Sequence, residues 1–136
     1  MRCVVCKEPM VVLEEGEVEV DHCVGCGGIW LDGGELELLL DDAGAKDRIL
    51  FSFEADPGIR GGRRKCPLCS KKMERVWCVR GKKLLIDRCP EHHGLWFDRG
   101  ELQAVLPHAE FDKERRVARF LEGIFGEKVG DHGGSK

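Results

Sequence analysis

No stretch of the 136 residues approaches the ~18–20 consecutive apolar residues of a membrane-spanning helix. The expectation is a chain that makes no use of a membrane. No signal-peptide pattern precedes the first cysteines, because Met1-Arg2-Cys3 runs directly into a cysteine pair. The expected compartment is therefore cytoplasmic, where thiols stay reduced and paired cysteines favour metal over disulfide. An overall positive charge is also lacking. The 22 Lys and Arg stand against 25 Asp and Glu, a formal net charge of −3. As a whole the chain is not a basic nucleic-acid binder.

What is present is a repeat. Gly28-Ile29-Trp30-Leu31-Asp32-Gly33-Gly34-Glu35-Leu36 returns as Gly94-Leu95-Trp96-Phe97-Asp98-Arg99-Gly100-Glu101-Leu102. Each stretch follows a pair of metal-type ligands and precedes an apolar helical pattern, so the chain is two copies of one small unit. A unit of about 35–40 residues is near the size at which a hydrophobic core alone fails, and such units need a metal or disulfide staple. The eight cysteines supply it.

In the first copy Cys3-Val4-Val5-Cys6 and Cys23-Val24-Gly25-Cys26 make C-x2-C-x16-C-x2-C, a zinc spacing. Between them, Met10 to Leu13 and Glu17-Val18-Glu19-Val20 read as two strands around Glu15-Gly16, with Val18 and Val20 inward. A hairpin with a cysteine turn at each end brings four sulfurs to one tetrahedral centre. In the second copy the set is Cys66, Cys69, Cys89 and His92, with Met73 to Val79 and Lys82 to Ile86 as the hairpin around Arg80-Gly81. His93 competes for the fourth place. Alignment on the Trp-x-Asp stretch favours His92, which keeps the two-residue spacing of Cys26. Two structural zinc ions are expected. Iron also suits four-sulfur sites, and the histidine favours zinc.

Neither set leaves an open ligand position for water, and no carboxylate is placed as a general base, so no enzyme is expected. Trp30 and Trp96 read as apolar covers over the hairpins. Asp32/Glu35 and Asp98/Glu101 have the spacing of capping boxes before the short helices. Cys78 has no counterpart in the first copy; it reads as a small apolar strand residue before it reads as a reactive thiol.

Charge separates the copies. Residues 1–57 carry 4 Lys/Arg against 14 Asp/Glu, and residues 58–107 carry 12 against 5. The basic set of Arg63, Arg64, Lys65, Lys71, Lys72, Arg75, Arg80, Lys82, Lys83 and Arg88 reads equally as a phosphate-binding face, with Trp77 to stack on a base, or as a surface matched to the acidic copy. Phe111, Val117, Phe120, Leu121, Ile124 and Phe125 fall mostly at helical spacing. That amphipathic helix closes a core or joins two chains as a homodimer.

The ligand spacing, the Asp before the second ligand pair (Val20-Asp21, Ile86-Asp87) and the Gly-x-Trp-x-Asp-x-Gly-Glu-Leu ending resemble the bacterial TFIIB-like zinc-finger domain, a zinc-ribbon family. The resemblance implies a zinc-ribbon fold and zinc at the eight matched ligands. It says little of function, because fold does not settle function. The departure is His92 where the pattern has Cys, which changes the site charge from about −2 to about −1.

The fold expected is a small metal-stabilised α+β chain. Residues 1–44 form a ribbon held by four cysteines, 45–64 a linker, 65–107 a ribbon held by three cysteines and a histidine, 108–126 an amphipathic helix and 127–136 a disordered tail. The function expected is a non-enzymatic zinc-binding module that meets nucleic acid or a transcription-related protein through the basic ribbon. The alternatives are an assembly scaffold dimerising through the terminal helix, and a thiol redox sensor.

Overall fold

The computed structural model describes residues 1–40, 44–50, 53–55, 64–78, 85–106 and 115–126. Among them are the strands β1 (Val11–Glu15), β2 (Val18–His22), β3 (Ile29–Asp32), β4 (Phe53–Ala55), β5 (Glu74–Cys78), β6 (Leu85–Arg88) and β7 (Gly94–Phe97). The helices are α1 (Gly33–Leu40), α2 (Ala45–Leu50), α3 (Glu101–Val105) and α4 (Arg116–Phe125). The small metal-stabilised α+β class holds.

The hairpin of the first copy forms as its alternation predicts. Gly16 takes φ +65° in the turn, and Val18 and Val20 are buried on one face. In the second copy β5 and β6 pair from Glu74↔Arg88 to Trp77↔Leu85. The expected turn at Arg80-Gly81 lies outside the described residues, as does the expected tail at 127–136.

The copies do not fold as two separate ribbons. Every strand among the described residues joins one antiparallel sheet in the order β1-β2-β3-β7-β6-β5-β4. The seam is β3 against β7, with Ile29↔Phe97, Trp30↔Trp96, Leu31↔Leu95 and Asp32↔Gly94 in register. The repeated stretch thus pairs with its own second copy about a local two-fold axis at the two tryptophans. Each copy alone would leave its last strand as an open edge of unpaired N–H and C=O groups, and the pairing closes both edges.

Strand periodicity then separates two faces. Ile29, Leu31, Leu95 and Phe97 join Val18, Val20, Leu36, Ile49, Leu102 and Leu121 under the helices. Trp30 and Trp96 point the other way, among Cys3, Cys23, Cys66, Cys89, Met10 and Met73. One sheet therefore carries helices on one side and both cysteine clusters on the other.

The stretch expected as a linker belongs partly to the fold. Ile49 and Leu50 end α2 and are fully buried, while Phe53 opens β4 opposite Cys78. The buried Arg88 donates from Nη1 to the carbonyls of Leu50 (2.6 Å) and Phe53 (3.0 Å) and from Nε to Glu74 (2.9 Å). Backbone acceptors between α2 and β4 are thereby satisfied inside the core. Of the apolar residues that suggested a dimer contact, Val117, Phe120 and Leu121 are buried within the chain, Ile124 and Phe125 are half-buried, and Phe111 lies outside the described residues. Gly126 closes α4 at φ +75°, its N–H donating to the Glu122 carbonyl.

Candidate metal centres

Each cysteine turn is a tight loop whose N–H groups point at its own sulfur. Val5 and Cys6 donate to Cys3 Sγ at 3.3 and 3.2 Å, Cys26 to Cys23 Sγ at 3.4 Å, Leu68 to Cys66 Sγ and Glu91 to Cys89 Sγ at 3.3 Å. Such bonds spread thiolate charge and fix the rotamer of the sulfur. β1 and β2 then bring the two turns of the first copy together, and β5 and β6 those of the second.

The sulfurs of Cys3, Cys6, Cys23 and Cys26 form one group, with every ligand atom within 4.8 Å of the others. Cys66, Cys69, Cys89 and His93 form the second. Around a tetrahedral ion with Zn–S near 2.3 Å and Zn–N near 2.0–2.1 Å, neighbouring donors stand about 3.8 Å (S–S) and about 3.6 Å (S–N) apart. The observed separations are 3.6 Å for Cys3–Cys26, 3.6 Å for Cys69–Cys89, 3.4 Å for Cys89–His93 Nδ1 and 3.9 Å for Cys66–His93 Nδ1. A disulfide needs ~2.05 Å. The donors fit an ion and not a cross-link.

His93 takes the place expected of His92. The reason lies in the backbone. In three turns the residue after the second cysteine is left-handed: Lys7 (φ +67°), Gly27 (φ +82°) and Ser70 (φ +66°). Its N–H donates to the carbonyl four residues back, of Cys3, Cys23 and Cys66. The fourth turn is one residue tighter. His92 itself is left-handed (φ +65°), and its N–H donates to the Cys89 carbonyl three residues back. The reversal comes one residue early, so the next side chain, His93, reaches the cluster. Nothing in the pair His92-His93 announces where the reversal falls.

The electrostatics of the thiols show why an ion is needed. Backbone N–H groups, chiefly those of Cys26 and Lys71, bring Cys23 and Cys69 down to about 7. Burial pushes Cys26 and Cys66 up to about 12. Some thiolates form readily and others not at all until a divalent cation sits among them.

The repeated acidic residues split their expected roles. Asp32 caps as expected, its Oδ1 accepting from Gly34 N–H at 2.8 Å. Glu101 reaches back to the Asp98 N–H at 2.8 Å. Glu35 does not close a capping box: it accepts from Glu19 N–H on β2, at the point where β3 turns into α1 and leaves that donor unpaired. Asp98 turns away from its helix. It accepts from Trp96 Nε1 (3.0 Å), and Arg64 Nη1 lies 2.7 Å from both of its oxygens. Arg64 also lies 3.4 Å from the buried Asp87, whose other oxygen is 3.6 Å from Arg75 Nε. Burial alone would raise Asp98; the bonds from Arg64 and Trp96 outweigh it and hold the carboxyl below its ordinary value.

This cluster changes the reading of the basic set. Arg64 and Arg75 are engaged by carboxylates of the second copy, Arg88 by Glu74 and by the carbonyls of Leu50 and Phe53, and Lys71 pairs with Glu91 at 2.7 Å. Lys65 and Lys72 are exposed. Arg63, Arg80, Lys82 and Lys83 lie outside the described residues, as does the side chain of Cys78. No ion pair seen among the described residues crosses the β3–β7 seam, so backbone pairing and apolar packing join the copies there.

A sheet stapled by two four-donor clusters, each built from paired turns on a hairpin, defines a tandem zinc-ribbon protein. The transcription factor zinc-finger family of TFIIB-type zinc ribbons matches the chain twice, over residues 2–42 and 65–108, together more than half its length. The chain belongs to that family. No match to a curated protein or to a solved structure was found. Both donor sets fit two structural zinc ions. Among the described residues no helix is long and apolar enough to cross a membrane.

Proposed function

We propose that the chain is a non-catalytic zinc-stapled interaction module whose partner is a polypeptide. The observation that carries this reading is the engagement of Arg64, Arg75 and Arg88 by carboxylates of the second copy and by the Leu50 and Phe53 carbonyls before it. A phosphate-binding face needs free guanidinium groups, and these three are not free. The cysteine turns also present apolar side chains, with Val5, Val24 and Leu68 exposed at 40 %, 72 % and 47 %. Beside it lies the acidic first copy, which repels nucleic acid and attracts basic protein surface. Four protein donors at each centre leave no position for a reacting water, which supports a non-catalytic role.

A second reading is nucleic-acid binding through Lys65 and Lys72. It is favoured by one feature: these exposed lysines stand side by side across an isolated bridge. A homodimer through residues 108–126 has less support, because Val117, Phe120 and Leu121 of α4 are buried in the chain's own core.

Recovery of bound partners from cells, with and without nuclease, tests the proposal. A protein partner that survives nuclease treatment supports it. A partner lost on nuclease treatment, with binding weakened by charge reversal at Lys65 and Lys72, transfers the function to nucleic acid.

A further inference from the structure

The second copy serves as an internal control for the first. Its Asp87 and Asp98 are bridged by the guanidinium of Arg64, with Arg75 behind, and the bridge holds Asp98 against the indole N–H of Trp96. The first copy has both carboxylates in the same places. Asp21 faces Trp30 across β2–β3 as Asp87 faces Trp96 across β6–β7. Asp32 follows Trp30 by two residues, as Asp98 follows Trp96. Neither arginine has a counterpart there. Val12 stands opposite Asp21 where Arg75 stands opposite Asp87. Met1 accepts from Met10 N–H where Arg64 accepts from Met73 N–H. Among the described residues no cation forms an ion pair with Asp21 or Asp32. The Met1 α-ammonium supplies a positive field at Asp21 in place of a guanidinium.

The consequence is visible at the indole. Trp30 is fully buried, and its Nε1 is a buried donor with no partner. The two rings are turned alike, since the Cζ2 edge of Trp96 faces Gly28 and that of Trp30 faces Gly94. By that likeness Asp32 is the counterpart of Asp98, which accepts from Trp96 Nε1. Asp32 is turned instead to the Gly34 N–H. An unpartnered buried donor is costly, and it lies beside two carboxylates without a bridge.

We infer that Asp21 and Asp32 form a receptor for an arginine side chain of a partner polypeptide, whose guanidinium takes the place that Arg64 holds in the second copy. Its arrival draws the Asp32 carboxylate from Gly34 onto Trp30 Nε1 and completes the constellation. A planar fork of donors reaches two carboxylates at once, which an ammonium does not. Val12, opposite Asp21, and Met1, opposite Met10, are exposed at 54 % and 47 % and suit the methylene stem of arginine. The surplus of acid in residues 1–57 steers a cationic partner to this side. The inference rests on the reading that the partner is a polypeptide, but its test needs no partner.

The zinc-loaded, 15N-labelled full chain is titrated with N-acetyl-arginine amide and followed by the indole N–H of Trp30 and the amide of Gly34. Both signals are expected to move saturably, with the Trp96 indole unmoved. N-acetyl-lysine amide is expected to bind at least fivefold more weakly. Val12→Arg, on an exposed strand position, supplies a cation in cis and is expected to weaken the arginine probe at least fivefold while both zinc ions stay bound. A Trp30 indole that does not respond to the arginine probe overturns the receptor. Equal binding of the lysine probe overturns the guanidinium assignment. Undiminished binding to Val12→Arg overturns the location. A partner lost to nuclease, with the titration positive, removes the polypeptide function and leaves the receptor standing.

Discussion

Trp30 and Trp96 stand opposite each other in register on the central strands of the sheet, each fully buried and each with its ring edge over the glycine of the other copy, Gly94 and Gly28. The tryptophans are more than covers for their own hairpins. They are reciprocal, so neither copy completes its metal-side packing without the other. Each indole buries on the order of 200 Å² of largely apolar surface, about 5 kcal/mol before chain entropy is counted.

The glycines under the rings are the sensitive points. A Cβ at Gly28 would fall within the Trp96 ring, and one at Gly94 would meet the Leu31 carbonyl and Trp30. Gly28→Ala and Gly94→Ala are each expected to lower stability by about 1–3 kcal/mol. Gly94→Ala is expected to cost more, because a backbone atom cannot rotate aside. Denaturant unfolding of the zinc-loaded chain measures both. Wild-type midpoints would contradict the reciprocal packing.

The two adjacent histidines separate by metal content. His93→Ala is expected to reduce bound zinc from two ions toward one, and His93→Cys to restore two. His92→Gly is expected to keep both ions, since it replaces only the left-handed residue of the turn. Metal analysis of the purified variants decides. Loss of zinc from His92→Gly with retention in His93→Ala would return the ligand to His92.

Removal of Arg64 leaves Asp87 with Arg75 alone and Asp98 with only the Trp96 indole N–H. Because Arg64 and Asp98 are partly exposed, at 20 % and 34 %, the expected cost of Arg64→Ala lies between that of an exposed and of a fully buried pair, about 2 kcal/mol. Arg64→Lys is expected to recover part of it. Thermal unfolding compares the three chains, and an unaltered Arg64→Ala would mean that the guanidinium is dispensable.

A strong chelator is expected to unfold the chain rather than only empty it, because the turns, the tryptophans and the seam depend on the same two ions. Adding zinc to the apo chain near neutral pH is expected to release protons, since Cys26 and Cys66 titrate at about 12 without it. Zinc affinity therefore falls as pH falls. Circular dichroism with calorimetry in buffers of different ionisation enthalpy reads both effects. A folded apo chain would contradict the staple.

Several elements were legible because they rest on near neighbours. The spacing of Cys3, Cys6, Cys23 and Cys26 and of Cys66, Cys69 and Cys89 places ligands on turns, and the alternation at Val18 and Val20 places a strand. The short helices after Trp30 and Trp96 follow from the Leu-rich runs. The last ligand escaped because a single backbone dihedral, at His92, chooses between adjacent histidines. The boundary at 45–64 escaped because Phe53 finds its strand partner in Cys78, twenty-five positions along the chain.

By itself the sequence determined two copies, two metal sites and two hairpins, all consequences of contacts a few residues apart or of ligand chemistry. Only the tertiary structure decided that the copies share one sheet, that Asp98 serves Arg64 and Trp96 while Asp32 serves a helix cap, and that three arginines of the basic ribbon face inward. The physical reason is the same in each case. Strand edges and buried carboxylates must find partners, and which partner lies within reach is set by packing between segments distant in the chain.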